Sequence, residues 1–191
     1  MLSNSEFDDW CRRNKISAAA RKEIENIRDS PPARRVRSGP KNVIGHYNQS
    51  SKMSHTIQFE SRTVEFPALY TMDHLDKEVL EIWDQPPSYT VRYIASTGRR
   101  TGHIYTADFF VIKRRCAGWE EWKTEQRLIL LEKQNPNKYF RDDKDNWRFP
   151  PGEDYAAQFG FYFKVCSSRH INWILIRNYK VLRPFFEIAE A

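Results

Sequence analysis

The sequence predicts an α/β (α+β) chain in which a mixed, mostly antiparallel sheet is flanked by helices and preceded by an N-terminal helical segment and a basic arm. Three observations carry this reading. Apolar residues near the N-terminus recur at helical spacing. Residues 31–54 lose that period and are rich in Pro, Gly, Ser, Lys and Arg. From residue 79 onward, runs rich in Val, Ile, Phe, Tyr and Trp are separated by short turns. A chain of 191 residues, 40% hydrophobic, can bury one sizeable core. We divide it into residues 1–54, the helical segment and arm, and residues 55–191, the main domain.

The elements follow in order. Ser3 and Glu6 have capping-box spacing, and Phe7, Trp10 and Cys11 then share one helix face. Ser17 is a second N-cap, after which Ala20, Ile24 and Ile27 repeat until "DSPP" stops the helix. In the arm, Arg34, Arg35, Arg37 and Lys41 can lie along a phosphate backbone; a plain linker has the same composition. Val64, Ala68 and Met72 mark a helix with one buried side, which starts or kinks near Pro67. "VLEIWDQPP" and "SYTVRYIAS" read as strands, and "TGRRTG" turns the second into "HIYTADFFVIK". The turn "RRCAG" leads to the strand "WEEWKT". A helix over "EQRLILLEKQNPN" places Leu128 and Leu131 inward, with Ile129 beside them. An aromatic-bearing insertion, the strand "FYFKVCSS" and a helix over "HINWILIRNYKVLRPFF" complete the chain.

Composition narrows the function. No apolar run approaches the roughly 20 residues of a membrane span, and the N-terminus lacks an apolar signal-peptide centre, so we expect a soluble cytoplasmic protein. The three cysteines form no CxxC pair, and neither they nor the five histidines have zinc-site spacing. Residues 1–54 hold eleven Lys and Arg against six Asp and Glu, and the remainder holds twenty against nineteen. The basic excess is therefore N-terminal, which suits either a polyanionic partner such as nucleic acid or a solvated surface. There is no phosphate-binding G-x-x-x-x-G-K-[ST] run, G-x-S-x-G elbow or convincing Cys-His pair.

The chemistry concentrates between Asp108 and Lys123. Strand parity puts Glu121 and Lys123 on one face with Trp119, and Glu120 with Trp122 on the other. Asp108, read as a carboxylate inside an apolar strand, precedes Glu121 by 13 residues, a separation that two adjacent strands can close. Two carboxylates can hold Mg²⁺ through hard oxygen ligands, and Lys123 can orient water or stabilise charge on a phosphate. Glu65, on the preceding helix, would complete the metal shell. The competing structural reading is a salt bridge between Asp108 and Lys123.

Together, "FESRTVEFPAL", "VLEIWDQPPSYTVRY", "YTADFFV" and "GWEEWKTE" resemble the nuclease domain of the TnsA family, the transposon-end endonucleases that work with a DDE-type transposase. The resemblance covers roughly residues 55–183 and implies a restriction-endonuclease-like core. It implies a Mg²⁺-dependent cut, with Mn²⁺ able to substitute, at the 5′ ends of a mobile element. By motif match Glu65 is similar to the helix carboxylate, with Glu60 a competitor, and Asp108 to the central metal ligand. Glu121 and Lys123 match the Glu/Gln-x-Lys strand, and Gln85 matches a recurring Gln-Pro with a structural or substrate-facing role. Implied partners are transposon-end DNA, a DDE-type transposase as a subunit or fused domain, and an AAA+ regulator. With its "WCRRNKIS", "SPPARRVR" and "FES" runs, the chain resembles the N-terminal portion of longer transposases in which this nuclease is fused to a DDE integrase-like domain. Two other readings stay open: a DNA- or transposase-docking module using the basic arm and an exposed Trp147, and a restriction or repair nuclease on the same fold.

Overall fold

A computed structural model describes residues 1–33, 45–48, 50–59, 64–95, 97–178 and 181. Arg34, Arg35, Arg37, Lys41 and Glu60 lie outside the described residues. Helix α1 (Asn4–Arg13) opens with the reciprocal Ser3–Glu6 capping box, and α2 (Ala18–Asp29) with the Ser17 side chain accepting from the Ala20 N–H. Their apolar faces, Phe7, Trp10 and Cys11 on α1 and Ala20, Ile24 and Ile27 on α2, are buried in one cluster with residues of the sheet. Trp10 Nε1 donates to the Lys113 carbonyl at 2.8 Å, and Arg28 reaches the fully buried Glu81 carboxylate at 3.2 Å. The N-terminal helices are thus part of the packed body.

A small antiparallel pair, β1 (Gly45–Tyr47) and β2 (Ile57–Phe59), precedes α3 (Glu65–Tyr70). Pro67 falls in the first turn of α3, where its missing N–H has no intrahelical acceptor to lose, and a π-helical stretch, Thr71–Leu75, continues the chain. The central sheet has four strands: β3 (Val79–Asp84), β6 (Phe109–Lys113), β7 (Ala117–Lys123) and β10 (Tyr162–Ser167). Their spatial order is β10-β7-β6-β3, with β10 parallel to β7 and the other pairs antiparallel. This is a mixed sheet flanked by helices. Between β3 and β6 the chain makes a separate antiparallel ribbon from β4 (Tyr89–Ile94) and β5 (Arg100–Tyr105). Helix α4 (Glu125–Gln134) buries Leu128, with Ile129 and Leu131 partly covered. The insertion after it forms a short hairpin, β8 (Phe140–Arg141) with β9 (Trp147–Arg148), and α5 (Pro150–Ala157). Residues 173–178 are helical.

Two expectations need correction. Trp147 is 3% exposed, with Nε1 bonded to Glu125 and the Arg141 guanidinium stacked 4.5 Å from its ring, so it is a core residue rather than a surface platform. Asp108 is not inside a strand: "HIYTADFFVIK" breaks at Thr106–Asp108, between β5 and β6.

Candidate active site

That break positions the central carboxylate. Gln85, just beyond β3, adopts a left-handed backbone (φ 44°), and its N–H donates to the Asp108 carbonyl at 2.9 Å. On the other side the Trp122 N–H donates to Asp108 Oδ2 at 2.7 Å. Main-chain and side-chain oxygens of Asp108 are therefore tied to the ends of two different strands. Phe109 pairs with Glu120 in the β6–β7 register, so the next step of the antiparallel ladder sets Asp108 against Glu121.

Strand alternation on β7 sorts the rest as expected. Trp119 enters the aromatic core, 5.6 Å from Tyr89 and 5.0 Å from Phe110 between ring centroids. Glu121 and Lys123 line the same cavity as Asp108. Glu120 points to the other face, held by Tyr162, Trp122 and Lys113. Lys123 pairs with Glu121 Oε1. The Asp108–Lys123 salt bridge of the structural reading is not formed; Lys123 acts on Asp108 only through its charge.

The cavity is open, about 460 Å³, and also lined by Val64, Tyr105, Arg127, Lys138 and Tyr139. Two acids, Asp108 and Glu121, and three bases, Lys123, Arg127 and Lys138, line it. Burial, then the charge of Glu121, push the Asp108 carboxyl well above the usual carboxylate range; Lys123 opposes this and Glu65 adds to it. Burial works against the Lys123 ammonium, but Glu121 and Asp108 outweigh it and hold its pKa above the ordinary lysine value. Glu121 Oε2 is buried and has no hydrogen-bond partner among the described residues. The buried Tyr105 hydroxyl makes no well-formed hydrogen bond either, but lies close to the Glu121 carboxylate and the Tyr139 hydroxyl.

Glu65 is the first residue of α3, half-buried, and near enough for its charge to act on Asp108, but it does not line the cavity. Among the described residues no group of three or more His, Cys, Asp or Glu side chains is gathered as a metal site. Gln85 lies behind Asp108 rather than in the cavity, and its own side-chain oxygen is buried without a partner. The structure thus brings together Asp108, Glu121 and Lys123, with Glu65 at the margin. The residues present fit a hard divalent cation: an orphaned buried carboxylate oxygen and a desolvated, crowded aspartate are what such an ion relieves.

Residues 76–168 match the family model described as TnsA-like endonuclease N terminal. The matched span holds Asp108, Glu121, Lys123 and Gln85, and leaves out Glu65 and both N-terminal helices. No curated protein matches the chain. Among the described residues no helix is long and apolar enough to cross a membrane.

Sequence reasoning missed Tyr105, Lys138 and Tyr139 as cavity residues. Tyr105 stands three residues before Asp108 with the strand's alternation interrupted between them, and "NKYF" reads as part of an insertion. A buried phenol beside a carboxylate leaves no periodic signature.

Proposed function

We propose that this chain is a metal-dependent DNA endonuclease that cuts the 5′ ends of a mobile element, freeing the strand that a DDE-type transposase leaves uncut. The observation that carries the reading is that Asp108, just before β6, and Glu121, on β7, line one open cavity with Lys123 paired to Glu121 and one Glu121 oxygen without a hydrogen bond. Asp108 and Glu121 would hold Mg²⁺ or Mn²⁺, with Glu65 as a further carboxylate. Bound, the ion supplies Lewis-acid stabilisation of the phosphoryl oxygens. Lys123, held by Glu121, presents its ammonium to the cavity, where it orients the attacking water or stabilises charge gathering on the phosphate. Lys138, lining the same cavity, adds a second cationic donor toward the strand. Gln85 positions Asp108 through the backbone. Residues 55–191 form the nuclease unit in this reading, and Arg34, Arg35, Arg37 and Lys41 lie along the DNA backbone.

The test is Mg²⁺ and Mn²⁺ calorimetry on the wild-type chain, on Asp108→Ala and on the Glu121→Ala, Lys123→Ala double variant, followed by strand-specific cleavage of transposon-end DNA with the partner transposase. Metal binding and nicking that both depend on Asp108 support the reading. Absence of binding at millimolar metal, with duplex DNA present, overturns it and favours a docking module; the closed Glu121–Lys123 pair and the lack of a three-acid group among the described residues are the observations on that side.

A further inference from the structure

The β4–β5 ribbon has a face that the nuclease chemistry does not use. Residues 89–105 contain three arginines and no Asp or Glu. Alternation sends Tyr89, Val91 and Tyr93 inward, and Thr90, Arg92 and Ile94 outward, opposite Ile104, Gly102 and Arg100. Ile104 is 75% exposed and Ile94 55%. Arg92 crosses over Gly102, which offers no side chain, so the outer face is flat. Arg92, Arg99 and Arg100 have no ion-pair partner among the described residues, where seven of the other eleven arginines are paired. Arginines left unpaired on an acid-free surface are complementary to a polyanion.

The ribbon's inner side is braced from the cavity. Lys138 Nζ donates to His103 Nε2 at 3.0 Å and lies 5.4 Å from the Tyr93 ring, while the Asn137 side chain donates to the Ile94 carbonyl at 3.2 Å. Lys138 and the last residue of β5, Tyr105, both line the acid cavity. A continuous set of contacts therefore joins the ribbon to the cavity of Asp108 and Glu121. A two-stranded antiparallel ribbon is also an element that the major groove of B-DNA admits.

We infer that the outer face of β4–β5 docks duplex DNA beside the cut site, with Arg92 and Arg100 on phosphates and the strands in the adjoining groove. This rests on the nuclease reading for the identity of the DNA, but docking can be read without cleavage. The experiment measures anisotropy of a labelled duplex of about 20 base pairs, two helical turns, against salt, with the chain in EDTA. The proteins are wild type, Arg92→Ala/Arg100→Ala and Arg92→Lys/Arg100→Lys, each checked by thermal melting. Two lost phosphate contacts lower the salt slope by about 1.8, so across a fourfold rise in salt the wild type loses on the order of tenfold more affinity than the Ala variant. The Lys variant keeps the wild-type slope. An unchanged slope in the folded Ala variant overturns the proposal, as does wild-type binding to single strands alone. A shift of Ile94→Ser/Ile104→Ser to a smaller oligomer with DNA affinity unaltered also overturns it and assigns the face to a second copy. Because docking is read without metal, a wild-type chain that binds the duplex but does not cleave it when Mg²⁺ and the partner transposase are added counts against the nuclease reading and not against the ribbon.

Discussion

Replacing Lys123 with Met removes the one cation paired to the acids of the cavity while keeping a side chain of similar length. Lys123 is 24% exposed and its partner Glu121 only 4%. Deleting one member of a buried pair costs roughly 3–5 kcal/mol, because the remaining charge is stranded. The cavity is open to solvent, which places this pair at the lower end, about 3 kcal/mol. For a chain of this size that is a fall in Tm of about 6–12 °C without metal. Glu121→Gln also removes the pair, but Lys123 then keeps Asp108 as a neighbouring charge, so the loss is smaller. The double variant should recover part of the sum, with a coupling of about 1–3 kcal/mol. Metal makes the assay discriminating. With Lys123 gone, less positive charge competes for the carboxylates, so Mg²⁺ should raise the Tm of Lys123→Met by more than that of the wild type. The measurement is thermal unfolding of the four proteins in EDTA and in millimolar Mg²⁺. A Lys123→Met melting point within about 2 °C of wild type, with no coupling and no extra metal response, would refute the argument that Lys123 neutralises this cavity.

Three further outcomes follow from the packing. A Cβ on Gly118 would lie 2.6 Å from the Tyr162 ring and overlap the Tyr162 carbonyl, so Gly118→Ala should force β7 and β10 apart and cost at least about 1–3 kcal/mol in denaturant unfolding. Among the described residues Arg28→Ala leaves Glu81, fully buried, with the Leu2 N–H and Trp83 Nε1 alone, and should destabilise by about 3 kcal/mol while loosening α1 and α2 in hydrogen exchange. Burial raises the Asp84 carboxyl pKa against the opposing His55 contact at 2.8 Å. Its stabilising contribution is therefore complete below the unfolded aspartate pKa and is lost as pH rises through the raised folded value, and Asp84→Asn should flatten that part of a Tm-against-pH profile.

The parts of the site legible in the sequence were those that depend on local periodicity. Parity along "WEEWK" separates Glu121 and Lys123 from Glu120 without any knowledge of the neighbours, because alternation is a property of the strand itself. The helix caps at Ser3 and Ser17 are local in the same way. What was not legible depends on contacts far apart in sequence. Asp108 looks like a strand residue, yet it stands between β5 and β6, where Gln85, 23 positions earlier in the sequence, holds its carbonyl. Trp147 looks exposed among polar residues until Glu125 and Arg141 enclose it. Nothing in "FYFKVCSS" announces that it joins β7 in parallel, since that pairing needs the whole passage through α4 and α5 to return the chain.

The backbone around Asp108 has a mechanical consequence. The Ala33 N–H donates to the Gln85 carbonyl at 2.8 Å, and the Gln85 N–H donates to the Asp108 carbonyl at 2.9 Å. Ala33, in the N-terminal end of the arm, is thus two hydrogen bonds from the Asp108 carbonyl, along a route made only of main chain. Removing the Ala33 N–H, as in Ala33→Pro, would release one side of the left-handed turn at Gln85 and so disturb where Asp108 stands without touching any side chain of the cavity.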